Sequence, residues 1–185
     1  MFLTKDILET IIENKKNGTT CVIKNFCADV PSWEEFIQYI EKASNQLSSF
    51  PDPLPQYDLN LGGKVFGEIL IKQNLYLYIK PIGPLGNSEK ITQSFHKLGV
   101  NLVFTTVYVN FSSKIDNIPP HTDAADNFYW QCQGSVEWDA NGKTYLIEPG
   151  DLVCIPAKTF HAVNFSVPRG ALGFSAILEN YIPPN

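Results

Sequence analysis

The sequence is poor in the side chains that most often bind metals or carry redox chemistry. It has three histidines and four cysteines in 185 residues. The cysteines, Cys21, Cys27, Cys132 and Cys154, stand far apart and form no Cys-x-x-Cys pair. That spacing offers no zinc-ribbon or thioredoxin-type motif. They read instead as small apolar residues in strands of a reduced protein. No run of about 18 apolar residues occurs, so no membrane-spanning helix is expected. The first residues, Met1-Phe2-Leu3-Thr4-Lys5-Asp6, bring in charge before an apolar stretch can form, so no secretory leader is expected. Lys and Arg number 14 against 19 Asp and Glu, and no basic run is present. A net charge of −5 without a basic patch argues against nucleic acid as a partner. These features together lead us to expect a cytoplasmic protein.

What remains is an ordinary globular composition, 44% hydrophobic and 18% charged, which argues against disorder. Its length fits a single domain, residues 1–185, with a sizeable core. Aromatic residues make up 12%, which favours strands. Helical patterns are confined to the first half. Thr4 is a plausible N-cap for a helix to Lys16, with Ile7, Leu8, Ile11 and Ile12 on one face and Gly18 as the stop. Ser32 and Glu35 form a capping box for a second helix, which carries Trp33, Phe36, Ile37 and Ile40 and fades near Ser48. A third, short helix is expected from Glu89 to Leu98. Strands are expected over 20–26, 64–71 and 75–79, with a proline-rich connection, Phe50-Pro51-Asp52-Pro53-Leu54-Pro55, between helix and strands.

The second half is dense in β signals. Asn101–Phe111 reads as a strong strand. Asn127–Gln133 alternates, with Asn127, Tyr129, Gln131 and Gln133 on one face and Phe128, Trp130 and Cys132 on the other. Asn141-Gly142 marks a tight hairpin. Further short strands are expected over 152–155, 160–165 and 171–178. Short strands at this spacing give a mainly β fold, a double-stranded β-helix (jelly-roll, cupin-like) barrel with N-terminal helices.

Two of the three histidines stand in a telling arrangement. His121-Thr122-Asp123 follows Pro119-Pro120, and His161 comes after a proline turn about forty residues later. Residues i and i+2 of an extended segment point the same way. His121 and Asp123 can thus face one ion, and the strand opened by His161 can lie beside theirs. Two histidines and one carboxylate form the facial triad suited to non-haem Fe(II), which leaves positions open for O2 and a bidentate ligand. His96, in the third helix, reads as a solvated residue. Polar residues sharing faces with this motif are candidate pocket residues: Thr106, Tyr108 and Asn127 toward a cofactor, Tyr129, Gln131 and Asn164 toward substrate.

His121-x-Asp123-x-x-Asp126-Asn127-Phe128-x-x-Gln131-x-x-Gly134-x-x-x-Trp138 resembles the core signature of the JmjC-type, cupin-like oxygenases. The block Glu148-Pro149-Gly150-Asp151, then Ile155-Pro156, then His161-x-Val163 resembles its second half. The segment from Thr20 to Tyr39 is a weaker match. This resemblance implies Fe(II) and 2-oxoglutarate as cofactors, and oxidative decarboxylation of 2-oxoglutarate to succinate coupled to hydroxylation of a C–H bond. It implies His121, Asp123 and His161 as the metal ligands. Many members carry a lysine just before the motif tryptophan to pair with the far carboxylate of 2-oxoglutarate. Here that segment is Ser135-Val136-Glu137-Trp138. A buried carboxylate needs a cationic partner. Arg169, eight residues after His161, is the best substitute, and its planar fork suits a carboxylate.

The chain is short and acidic, and no appended domain of the sort seen in members acting on ribosomal proteins or chromatin is expected. A small molecule, an amino acid or a peptide is therefore the expected substrate, with O2 as co-reactant. Jelly-roll cupins often dimerise, so a homodimer is compatible with this reading. Two other readings stay open: a metal cupin enzyme that does not use 2-oxoglutarate, and a non-catalytic barrel that binds a ligand.

Overall fold

The computed structural model describes residues 2–43, 47–50, 76–80, 83–112, 118–164, 166–178 and 181. The strand expected over 64–71 and the prolines of 51–55 lie outside the described residues. Three helices come where the apolar periodicity puts them. Helix α1 spans Lys5–Lys16, and the Thr4 hydroxyl accepts from the Ile7 N–H at 3.3 Å. Helix α2 spans Trp33–Lys42 behind a full Ser32/Glu35 capping box and buries Phe36, Tyr39 and Ile40. It stops earlier than the expected Ser48, because Leu47–Phe50 is drawn off as strand β2 against β3, Tyr76–Ile79. Helix α3 spans Ser88–Lys97 and is followed by Gly99 at φ +77°.

The remaining strands are β1 (Cys21–Ile23), β4 (Leu102–Asn110), β5 (Ile118–His121), β6 (Asp126–Gln133), β7 (Val136–Ala140), β8 (Lys143–Ile147), β9 (Leu152–Ile155), β10 (His161–Asn164) and β11 (Arg169–Ala176). β1 is shorter than the expected 20–26. Asn25 takes φ +52° and its N–H is captured by Asp151 Oδ1 at 3.0 Å, which turns the chain out of the strand. Asn141 and Gly142, at φ +52° and +76°, make the two-residue turn between β7 and β8. Positive φ at both positions is what a type I′ hairpin needs.

All strand pairs are antiparallel. They form a seven-stranded sheet in the order β1-β9-β6-β11-β4-β3-β2 and a four-stranded sheet in the order β5-β10-β7-β8. This is a mainly β, double-stranded β-helix of the cupin kind, with helices at its N-terminal end. Alternation along the strands gives the seven-stranded sheet two buried faces. One meets the helices: Phe128, Trp130, Cys132, Leu172 and Phe174 join Leu8, Ile11, Phe36, Ile40 and Phe95 in the larger core. The other faces the barrel interior, where Tyr76, Tyr129, Val136, Trp138, Ile147, Val153, Ile155 and Val163 gather. The face assignment expected for β6 holds from Asn127 to Cys132; at Gln133 a bulge opposite Gly170 and Ala171 turns the side chain to the helix-covered side, where its Nε2 donates to the Pro31 carbonyl at 2.7 Å. Among the described residues no helix is long and apolar enough to cross a membrane.

One side chain ties the layers together at the barrel mouth. The buried Asp126 carboxylate accepts from Lys15 Nζ on α1 (2.6 Å), from the Ala157 N–H in the turn before β10 (3.0 Å) and from the Leu178 N–H after β11 (2.9 Å). A backbone N–H left without a partner on burial costs about 1–3 kcal/mol. Asp126→Ala orphans two, so urea unfolding is expected to show a loss of roughly 2–4 kcal/mol on the same scale. Asp126→Asn keeps an acceptor oxygen and should lose less. Equal losses in the two variants would contradict this role.

Candidate active site

β5 ends on His121 and β10 begins on His161. Their antiparallel register sets the two histidines directly opposite, with ring centroids 4.3 Å apart. β5 is an edge strand, where the missing N–H groups of Pro119 and Pro120 do no harm. Asp123 follows two residues after His121, and its Oδ2 lies 3.5 Å from His161 Nε2. One ligand atom from each of His121, Asp123 and His161 falls within 4.8 Å of the others. No second cluster of this kind occurs among the described residues.

Hydrogen bonds fix how these groups point. His121 Nδ1 meets the Pro119 carbonyl at 2.9 Å, and His161 Nδ1 meets the Thr159 carbonyl at 2.8 Å. A carbonyl only accepts, so each Nδ1 carries the proton and each Nε2 presents a lone pair. Burial depresses the His161 pKa, and the neighbouring His121 pushes the same way. The Thr159 carbonyl and Asp123 oppose the shift. The neutral, ligating imidazole is thereby favoured. Asn127 Nδ2 donates to Asp123 Oδ2 at 2.6 Å, and Ser175 Oγ donates to Asn127 Oδ1 at 2.5 Å. The Lys158 N–H bonds the Asp123 carbonyl at 2.8 Å, stitching the turn before His161 to the first two ligands.

The barrel interior beyond the triad holds a buried cation. Arg169 opens β11 rather than sitting in a turn, and is 1% exposed. Its Nε donates to Gln131 Oε1 at 3.0 Å, its Nη1 lies 3.4 Å from the Tyr76 hydroxyl, and its Cζ stands 5.6 Å from the centroid of the Trp138 ring. No carboxylate pairs with it among the described residues. The same indole also lies beside His161, ring centroids 5.7 Å apart. Five buried side-chain polar atoms lack a hydrogen-bond partner among the described residues, and three of them belong to this region: His161 Nε2, Trp138 Nε1 and Arg169 Nη2. One is a lone pair and two are donors. That set matches a metal ion beside an anion.

Tyrosines fill the walls. Tyr78 and Tyr108 meet edge to face at 5.4 Å, Tyr108 and Tyr129 lie 5.6 Å apart, and Tyr129 and Trp138 lie 4.6 Å apart. Burial pushes the Tyr78 pKa up to about 12 and raises those of Tyr76, Tyr108 and Tyr129. All four therefore stay protonated. The charges of Asp123 and Arg169 both act on Tyr78, Tyr108 and Tyr129, so these rings lie within reach of the triad and of the guanidinium. Gly173 makes room for them: a Cβ there would lie 2.7 Å from the Tyr108 ring and 3.3 Å from that of Tyr129.

The expected site residues thus divide. His121, Asp123 and His161 converge. Arg169, Tyr108 and Tyr129 face the same interior, and Thr106 hydrogen-bonds Tyr108. Asn127 holds Asp123 rather than reaching a cofactor. Gln131, expected to meet substrate, is spent on Arg169 and on the Gln133 and Gly134 carbonyls. Asn164 points away from the site: three residues from His161 it takes the opposite strand face and donates to Asp139 Oδ2 at 2.6 Å. Tyr76, Tyr78 and Ser175 were not expected. Trp138, the motif tryptophan, carries a buried N–H without a hydrogen-bond partner.

No family model matches the chain, and no curated protein matches it. Solved structures do. A structure of the ribosomal oxygenase YcfD from Escherichia coli with cobalt and succinic acid is similar at 18% identity and TM-score 0.59, covering 90% of this chain and 49% of that one. A second, with cobalt and 2-oxoglutarate, is similar at 17% identity and TM-score 0.58, covering 90% and 48%. The chain spans about half the length of these structures, and the likeness is one of fold.

The Asn127–Ser175 relay gives a test. Loss of a partner that orients a metal ligand typically weakens metal affinity by about 10–100-fold. Asn127→Ala should therefore weaken Co(II) binding by that order in an absorbance titration, and Ser175→Ala by less. His161→Ala should abolish it. Unchanged affinity in Asn127→Ala would show that Asp123 needs no such support.

Proposed function

We propose that this chain is a non-haem Fe(II), 2-oxoglutarate-dependent oxygenase that hydroxylates a C–H bond of a small molecule, an amino acid or a peptide. The observation that carries the reading is Arg169: a fully buried guanidinium with no carboxylate partner, sharing the Trp138 ring with metal-ligand candidate His161. A dicarboxylic 2-oxo acid has the two ends such a space calls for. The fold likeness to a ribosomal oxygenase solved with cobalt and 2-oxoglutarate supports it.

In this reading His121, Asp123 and His161 hold the iron, and the orphaned His161 Nε2 fits that task. Bound Fe(II) supplies open positions for chelation of the 2-oxo acid and for O2. The chain's own residues do the rest. Arg169 Nη2 and Trp138 Nε1 donate to the far carboxylate. Gln131 and the Trp138 face hold the guanidinium in place. The protonated tyrosines keep the chamber dry and add no competing negative charge. Drying strengthens the charge–charge contact inside. A groove of about 570 Å³, lined by Tyr78, Lys80, Phe104, Thr106 and Tyr108 among others, adjoins this wall. Its size suits a small molecule or a single side chain entering beside the site.

Anaerobic titration of 2-oxoglutarate into the Fe(II)-loaded protein should give a weak visible charge-transfer band. With O2, succinate should form in proportion to 2-oxoglutarate consumed. Truncating one member of a buried, hydrogen-bonded charge pair costs about 2–5 kcal/mol. Arg169→Met should thus weaken 2-oxoglutarate binding by roughly 30-fold or more while Co(II) affinity holds. Absence of the band at saturating 2-oxoglutarate in the wild type would favour a metal cupin that uses its substrate alone.

A further inference from the structure

A second reactive group lies on the helix-covered side of the seven-stranded sheet, away from the barrel interior. Edge strand β1 pairs with β9 so that Cys21 stands directly opposite Cys154. Opposed residues of an antiparallel pair have Cα atoms about 4.5–5.5 Å apart. A disulfide spans about 4.4–6.8 Å. The two thiols are close enough to shift one another's ionisation. Cys154 is buried, Cys21 is half-buried, and both line a narrow cleft between α1 and the sheet, with Ile11, Lys15 and Asp126. We propose that Cys21 and Cys154 form a redox-active dithiol, which a hydroperoxide converts to a cross-strand disulfide.

The roles of the two sulfurs follow from their surroundings. Cys21 is the more accessible, and the S–H of Cys154 stabilises its thiolate, which holds the Cys21 pKa below the usual thiol value. Burial pushes that of Cys154 up. The thiolate is the nucleophile, so Cys21 attacks first. Its sulfur takes the distal oxygen of hydrogen peroxide, the O–O bond breaks, and one water leaves as Cys21 becomes a sulfenic acid. Cys154 sulfur then attacks Cys21 sulfur, the S–O bond breaks, and a second water carries off the oxygen with the thiol proton. Two thiols are oxidised by two electrons in total, and one peroxide is reduced to two waters. The other two cysteines serve as internal controls, since both are buried and each thiol donates to a backbone carbonyl: Cys27 to Asp29 and Cys132 to Trp130.

The bond would tie the edge strand to the sheet in the cleft that also holds Asp126, whose carboxylate fixes the turn before His161. This inference does not depend on the proposed oxygenase reaction. The test is to treat the reduced full chain with a modest excess of hydrogen peroxide in the presence of chelator. Thiols are then counted in denaturant, and unreduced tryptic peptides are mapped. The expected result is loss of two of the four thiols and a crosslink between peptides 17–24 and 144–158, reversed by dithiothreitol. A Cys27→Ser/Cys132→Ser double variant should give the same crosslink, and Cys21→Ser should give none. Four surviving thiols in the wild type would overturn the proposal. So would a crosslink through Cys27 or Cys132, a crosslink between two chains, or oxidation of Cys21 with no bond to Cys154.

Discussion

A buried guanidinium without a carboxylate is the constraint that the interior of this protein answers to. Removing an ion from water costs several kcal/mol even after relaxation. Arg169 recovers part of that through Gln131 Oε1, the Tyr76 hydroxyl and the face of Trp138. All three are neutral. The missing partner is a negative group, and Nη2 has no acceptor among the described residues. The surroundings conform to this imbalance. Burial holds the neighbouring tyrosines protonated, so none supplies the charge. The site carboxylate, Asp123, is committed to Asn127 and to the histidine cluster. In the proposed function, an anion from outside that reaches from the triad to the arginine would satisfy both ends.

Two adjacent strands hold those ends at a fixed separation. On β11 the interior positions are Arg169, Ala171, Gly173 and Ser175. On β6 they are Gln131, Tyr129 and Asn127, paired in register with Ala171, Gly173 and Ser175. At one end Gln131 orients Arg169, and at the other Ser175 orients Asn127, which orients Asp123. The small residues between them leave the space that the tyrosine rings edge. The same ladder therefore positions both Arg169, the proposed carboxylate anchor, and Asp123, the proposed metal ligand. Strands are stiffer supports for such a pair than loops would be.

Much of this was legible before any coordinates. The triad stood out because histidine is scarce here and because His-x-Asp in an extended segment can only face one way. Arg169 emerged from a deficit: the motif's usual lysine is absent, and a carboxylate still needs a cation. The alternation of β6 and the Asn141-Gly142 hairpin followed from local rules. What stayed hidden depended on pairing between distant segments. Tyr76 and Tyr78 read as a strand, but nothing local says that β3 lies beside β4 with Tyr78 opposite Tyr108. Gln131 and Asn164 were assigned to substrate because they are polar and near the motif. Their actual partners, Arg169 and Asp139, are 38 and 25 residues away in sequence. The early end of α2 escaped for a related reason, since a tertiary strand pairing and not a capping glycine ends it.

The most direct measurement is a crystal structure of the protein soaked with Mn(II) and 2-oxoglutarate. The account predicts the metal on His121, Asp123 and His161, and the far carboxylate within hydrogen-bonding distance of Arg169 Nη2 and Trp138 Nε1. A carboxylate bound to another cation, such as Lys80 or Lys158, with Arg169 still unpaired, would contradict it.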